Sequence, residues 1–389
     1  MHTDTFDSGA LPSDIVTARR TVLAVFFING VTLASWVTHI PDIRTKFGLG
    51  DAALGLVLLA LAAGSVAALL LVGGVISRFG SRVVTMATVT TFCALLPLII
   101  VAPSLPLLVV VVILFGACNG ALDVAMNAQA SVIEARYNRP IMSSFHALWS
   151  TGSLLGAAVG SVTLAAGIPA QWHVLVVSLF GLCALALVLR SLLPASIDQV
   201  ENSSVFTLPT GPLFWLGLLC FFGLLAEGSI ADWSAVFMRE MLGSAPGLAA
   251  TGFTVFSLAM AIGRFTGDAL SVRFGPVRIV QICGALAALG LGAALLAGNP
   301  FVAIMGFGLV GLGLANMVPI LFSAASRVPG VQAGAGIAAV SSAGYAGFLV
   351  GPPLIGFVGQ ATNIGVGLGL VVAFCVLITI MAARVIRSE

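Results

Sequence analysis

The sequence predicts an all-α membrane protein with 12 transmembrane helices in two pseudo-symmetric six-helix bundles. Three observations lead there. The first is composition: of 389 residues, 59% are hydrophobic and only 8% are charged, whereas a soluble domain carries about 25% charge. A chain this poor in charge cannot cover a water-facing surface, so lipid must be its main solvent. The second is a set of twelve apolar runs, each near the roughly 20 residues that cross a bilayer. The third is an internal repeat. Arg78-Phe79-Gly80 recurs as Arg273-Phe274-Gly275, 195 positions later, and the same offset carries Gly116 onto Gly311, Gly152 onto Gly347 and Gly156 onto Gly351. With a slip of two, Ala34-Ser35-Trp36 falls on Ala231-Asp232-Trp233.

In chain order, a polar tail (1–20) precedes the first bundle (21–193). No secretory leader is expected, because residues 1–18 carry Asp4, Asp7 and Asp14 before any apolar run begins. The six spans of this bundle lie near 21–40, 52–77, 83–102, 105–133, 143–166 and 171–193. Residues 194–212 form the longest polar gap, with Asp198, Gln199, Glu201, Asn202 and Ser203-Ser204, and link the halves. The second bundle (213–383) has spans near 212–240, 247–271, 277–297, 300–324, 335–360 and 363–383, and a short tail (384–389) ends the chain.

Charge placement agrees with this count. Alternating spans collect Arg19, Arg20, Arg78, Arg82, Arg136, Arg139, Arg190, Arg273, Arg278, Arg327, Arg384 and Arg387 on the side of the termini. The other side holds Arg44, Lys46 and Arg239, and Arg264 lies within a span. Basic residues stay in the cytoplasm, so both termini are expected there. The net charge of +2 gives no reason to expect a nucleic-acid partner. The 45 glycines suit close helix packing in lipid. Cys93, Cys118, Cys183, Cys220, Cys283 and Cys375 all sit in apolar runs and read as small buried hydrophobes.

The chemistry is carried by polar groups inside spans. An ionised side chain at the bilayer centre costs about 2.5–3.5 kcal/mol, so a carboxyl group there can trade its charge for a proton as its surroundings change. Asp123, Glu227, Asp232 and Asp268 are the intramembrane acids. Asn119, Asp123 and Asn127 follow i, i+4, i+8 spacing in the fourth span and share a face. That stripe reads either as a proton carrier flanked by amides or as a polar contact between helices. Glu227, near the middle of the seventh span, reads as a second coupling acid or a structural one, and Asp232 lies nearer the outer mouth. Arg264 and Asp268 form either an intrahelical i, i+4 pair or a cytoplasmic gate between the halves.

Asn29, Thr32 and Trp36 can share one face of the first span, which also carries Ser35 and His39. Trp36 and Trp233 match across the repeat and either stack on a ligand or anchor at the interface. His146, Trp149, Asn316 and Tyr345 complete the expected cavity lining. Gly152, Gly156 and Gly160, like Gly347 and Gly351, have small-x-x-x-small spacing for close approach. Pro352-Pro353 should break or kink the eleventh span. No P-loop, G-x-S-x-G elbow or metal-spaced cluster appears, so neither an enzyme nor a resident cofactor is expected.

Gly73-Gly74-Val75-Ile76-Ser77-Arg78-Phe79-Gly80-Ser81-Arg82 resembles the G-x-x-x-D-R-x-G-R-R motif of the major facilitator superfamily, with Ser77 in place of the usual Asp. The resemblance implies the major facilitator fold, a monomer, and a cytoplasmic gate region around Gly73, Arg78, Gly80, Arg82, Arg264, Asp268 and Arg273. Gly263-Arg264-Phe265-Thr266-Gly267 with Arg273-Phe274, Asp123 followed by Asn127, and Glu227 followed by Trp233 are similar to fucose-permease-like proton symporters. Ala226-Glu227-Gly228-Ser229, Asp232-Trp233 and Gly351-Pro352-Pro353 look closer still to bacterial inner-membrane permeases of the YbjJ type. These likenesses imply secondary transport coupled to protons, Asp123 being the coupling acid; the substrate does not follow from them. Acids and amides without a midplane Lys or Arg disfavour a strongly anionic substrate and suit a small neutral polar solute such as a sugar, or a cation, with polar aromatic solutes such as nucleobases also open. Drug/proton antiporters carry G-x-x-x-G-P in the fifth helix. Here Ala157 follows Gly156, and Pro352 follows Gly351 in the eleventh, so symport is favoured over efflux, with a non-transporting sensor or scaffold as the third reading.

Overall fold

A computed structural model describes residues 13–137, 141–194 and 209–387. The expected linker residues 195–208, the first twelve residues and Arg139 lie outside that range. Helices are α1 (Ser13–Thr38), α2 (Ile40–Phe47), α3 (Asp51–Phe79), α4 (Ser81–Val101), α5 (Leu105–Tyr137), α6 (Met142–Ala165) and α7 (Ala170–Val188) in the first half. The second half holds α8 (Pro212–Glu240), α9 (Pro246–Phe274), α10 (Pro276–Leu296), α11 (Pro300–Leu314), α12 (Met317–Ala325), α13 (Ala333–Ala361) and α14 (Ile364–Arg387). Among the described residues, twelve spans are long and apolar enough to cross a membrane, α11 and α12 together making one. Helices are the expected solution, because a backbone in lipid must satisfy its own polar groups.

Four details depart from the sequence expectation. α1 begins at Ser13, inside the stretch read as a tail. The eight-residue α2 lies between the first two spans. The tenth span breaks at Asn316, while α13 runs unbroken through Pro352 and Pro353. The prolines are tolerated because a neighbour packs on them: a Cβ on Gly55 of α3 would lie 2.7 Å from the Pro352 carbonyl oxygen.

The repeat is visible as duplicated packing. Gly116 lets α5 touch the Leu61 carbonyl of α3, and Gly311 lets α11 touch the Phe256 carbonyl of α9. Gly152 meets the Phe27 carbonyl of α1, and Gly347 meets that of Phe221 on α8. Both α3–α4 and α9–α10 turn at a glycine with positive φ, Gly80 at 81° and Gly275 at 78°, a backbone state that side chains disfavour. Leu71, Val162, Leu187, Leu289 and Leu296 stand exposed on the outside of the bundle, an apolar surface that lipid would cover.

The halves meet along two seams, α3 against α13 and α6 against α9. Both seams are tightest on the face opposite the termini. There Gly356 approaches the Asp51 carbonyl, Gly247 packs on Ala165, and Ser161 Oγ lies 3.0 Å from Thr254 Oγ1. Charged pairs also cross the halves on this face: Arg239 Nη1 to Asp42 Oδ1 at 3.0 Å, and Arg44 to Glu240. Toward the terminal face, a Cβ on Gly73 or Gly74 of α3 would meet nothing within 4 Å.

Candidate functional site

Polar side chains gather at mid-depth in an otherwise apolar interior. Trp149 Nε1 on α6 donates to Asn29 Oδ1 on α1 at 2.6 Å. Asn29 Nδ2 donates in turn to Asn119 Oδ1 on α5 at 2.9 Å. This chain ties three helices of the first half and fixes the amide orientation of Asn29. One turn beyond Asn119, Asp123 is half-buried, and Asn127 Nδ2 donates to its carbonyl at 2.8 Å and to its Oδ1 at 3.2 Å. Asp123 lies near enough for its charge to be felt by Tyr345 on α13, in the other half.

A second cluster faces it. Glu227 on α8 lies 3.6 Å from Arg264 Nη2 on α9, with 19% and 33% of the side chains exposed. Arg264 Nη1 donates across the seam to Ser150 Oγ on α6 at 3.3 Å, and its charge reaches exposed His146. His146 stands edge-on to Phe26, 5.4 Å between ring centres. Arg264 thus joins the halves through Ser150 and neutralises Glu227. The side chain of Asp268 lies outside the described residues.

Other expected residues are placed elsewhere. Thr32 turns into the first bundle and contacts Cys93 Sγ at 3.7 Å, because α4 packs on that side of α1. Trp36 and Trp233 are fully buried, away from any interface with headgroups, and Trp233 Nε1 has no partner among the described residues. Asp232 is half-buried beside it. Asn316, at the α11–α12 break, donates to the Gly263 carbonyl at 3.0 Å, so it holds the backbone beside Arg264 and is itself buried. Of the motif arginines, Arg82 Nη2 caps the Arg190 carbonyl within its own half at 2.8 Å. Arg78 and Arg273 lie over Phe79 and Phe274, 5.2 and 5.3 Å from the ring centres.

Residues 22–327 match the family model described as Major Facilitator Superfamily. The chain belongs to the major facilitator superfamily. An uncharacterized MFS-type transporter of Yersinia pestis is 35% identical over 362 residues, 93% of this chain and 94% of that protein. The nucleoside transporter NupG superposes with a TM-score of 0.73 at 14% identity, over 95% of this chain and 98% of that one. A D-xylose-proton symporter superposes at 0.73 with 15% identity, over 95% and 97%. The protein is therefore a multi-pass membrane transporter of the superfamily. Within the motif, Gly80 makes the turn and Arg82 caps a carbonyl of its own half.

Sequence reasoning did not foresee one cluster. On the face opposite the termini, His39, Asp42, Arg44 and Asp51 of the first half meet Arg239 and Glu240 of the second. A signal was present: Arg44, Lys46 and Arg239 are the basic residues assigned to that side. Lys46 Nζ caps the end of α4 by donating to the Ile100 and Ala102 carbonyls at 2.6 and 2.7 Å.

Proposed function

We propose that the protein moves a small, neutral, polar solute across the bacterial inner membrane by alternating access, with a proton carried in the same direction. In this reading the terminal face is cytoplasmic, as the arginine distribution favours, and the protein works as a monomer. The halves, tied together on the opposite face, then leave the path open toward the cytoplasm. The observation that carries the reading is the asymmetry of the two mid-depth acids. Glu227 already has a cationic partner in Arg264, whereas Asp123 is held by the neutral Asn127. Asp123 is thus the acid free to exchange a proton while the halves move. Asn119, Asn127 and Tyr345 offer donors and acceptors suited to hydroxyl-rich solutes, and Glu227 with Arg264 adds no net charge. Two fold neighbours whose names specify nucleosides or xylose with protons fit the same solute class.

A thermal-shift panel of sugars, polyols, nucleosides and lipophilic cations, followed by uptake of each hit into proteoliposomes, tests this. A sugar or nucleoside hit with uptake driven by an acid-outside gradient is the expected result. Hits confined to lipophilic cations, extruded against the same gradient, would replace it with efflux.

A further inference from the structure

The cluster opposite the termini contains a buried pair of histidines that the solute path does not use. His39 lies in the turn between α1 and α2 and is 0% exposed; His173 lies on α7 and is 4% exposed. His39 Nε2 is 2.8 Å from His173 Nδ1, and His39 Nδ1 is 2.8 Å from Asp42 Oδ2. The other oxygen of the same carboxylate takes Arg239 Nη1 of the second half at 3.0 Å. One carboxylate therefore joins the histidine pair to the opposite bundle.

Proton counting limits what this geometry tolerates. Asp42 accepts, so His39 Nδ1 carries a proton. With both rings neutral, His39 Nε2 accepts from His173 Nδ1–H. With one extra proton, His39 donates from both nitrogens, to Asp42 and to His173 Nδ1. A second extra proton puts N–H groups on both sides of a 2.8 Å contact and two positive charges in a buried site, and the ring–ring bond cannot survive. His173 Nε2 has no partner among the described residues, so nothing there offsets the second charge. The charged groups around the pair are Asp42, Arg44 and Lys46 on α2, Asp51 at the start of α3, and Arg239 and Glu240 on α8. At this level α1, α4 and α6, which also pack nearby, bring no charged side chain among the described residues.

We propose that His39 and His173 form a proton-operated clasp on the gate opposite the termini. Charging both rings frees the turn that carries α2, and with it the Asp42–Arg239 and Arg44–Glu240 pairs that hold the halves together. The clasp rests on the alternating-access reading above, in which acid on the outer side would open the outer gate to incoming solute.

Spin labels on Gln171→Cys and Thr362→Cys, both exposed and in different halves, read the opening in lipid nanodiscs without any solute. Cys118→Ser and Cys183→Ser remove the accessible native thiols. Between about pH 8 and about pH 4, low enough to reach a second proton that burial and the first charge oppose, the ratio of long to short separations should rise about tenfold. His39→Gln and His173→Gln should abolish that rise. A rise kept in either variant overturns the clasp. Should the variants fail to fold, 15N-histidine NMR on the unsubstituted protein decides. Both rings becoming doubly protonated as the separation lengthens supports the clasp, and lengthening while one ring stays neutral overturns it. Because no solute is involved, failure of the uptake experiment and failure of this one remain distinguishable.

Discussion

Glu227 and Arg264 show what a sequence conceals at the scale of single residues. Both were recognisable as costly intramembrane charges. The sequence offered Arg264 a partner four residues away in Asp268, whose side chain lies outside the described residues, and the structure adds Glu227 from the neighbouring helix. Helical spacing tells which face a residue occupies; it does not tell which helix that face meets. The same limit applies to Asn29 and Thr32, three residues apart, one bonded to Asn119 on α5 and the other against Cys93 on α4. The pairing carries an energetic expectation. Glu227→Gln removes a described counter-charge from a half-buried guanidinium and should destabilise the protein by about 1–2 kcal/mol, less than a fully buried pair because water screens it. Thermal unfolding in detergent measures this, and Arg264→Gln added to Glu227→Gln should recover part of the loss.

Among elements, the twelve spans were legible because each is a long apolar run, a signal strong enough to survive the absence of any alignment. α2 was not, because eight residues of mixed polarity between two spans look like a loop. The α11–α12 break was hidden for another reason: Asn316 in an apolar run looks like a cavity residue, whereas its amide serves the Gly263 carbonyl. The repeated glycines, legible as a pattern, become specific contacts. Gly116→Ala and Gly311→Ala each drive a methyl into a facing carbonyl and should cost about 1–3 kcal/mol. Gly74→Ala, which meets open space, should leave stability the same or slightly higher. A melting series of the three variants checks the contrast, and equal losses at all three would contradict the packing described.

For the whole molecule, the two-bundle architecture was readable from the repeat, while the state of the path was not, since sequence symmetry is silent about which end is closed. Closure opposite the termini depends on two seams and on ion pairs such as Arg239–Asp42, whose partners are 197 positions apart in the chain. Arg44→Gln combined with Arg239→Gln removes both crossing pairs. It should expose Thr254, now half-buried against Ser161, so that Thr254→Cys reacts with a water-soluble maleimide about tenfold faster. An unchanged rate would mean that the apolar seams alone hold that face shut. The central claim, that Asp123 couples solute movement to a proton, is tested most directly in proteoliposomes loaded with a pH-sensitive dye. Adding the transported solute outside, with no gradient imposed, should acidify the lumen. In Asp123→Asn the acidification should disappear while exchange of labelled for unlabelled solute continues. Solute entry without any change in lumen pH, or acidification that persists in Asp123→Asn, would contradict the account.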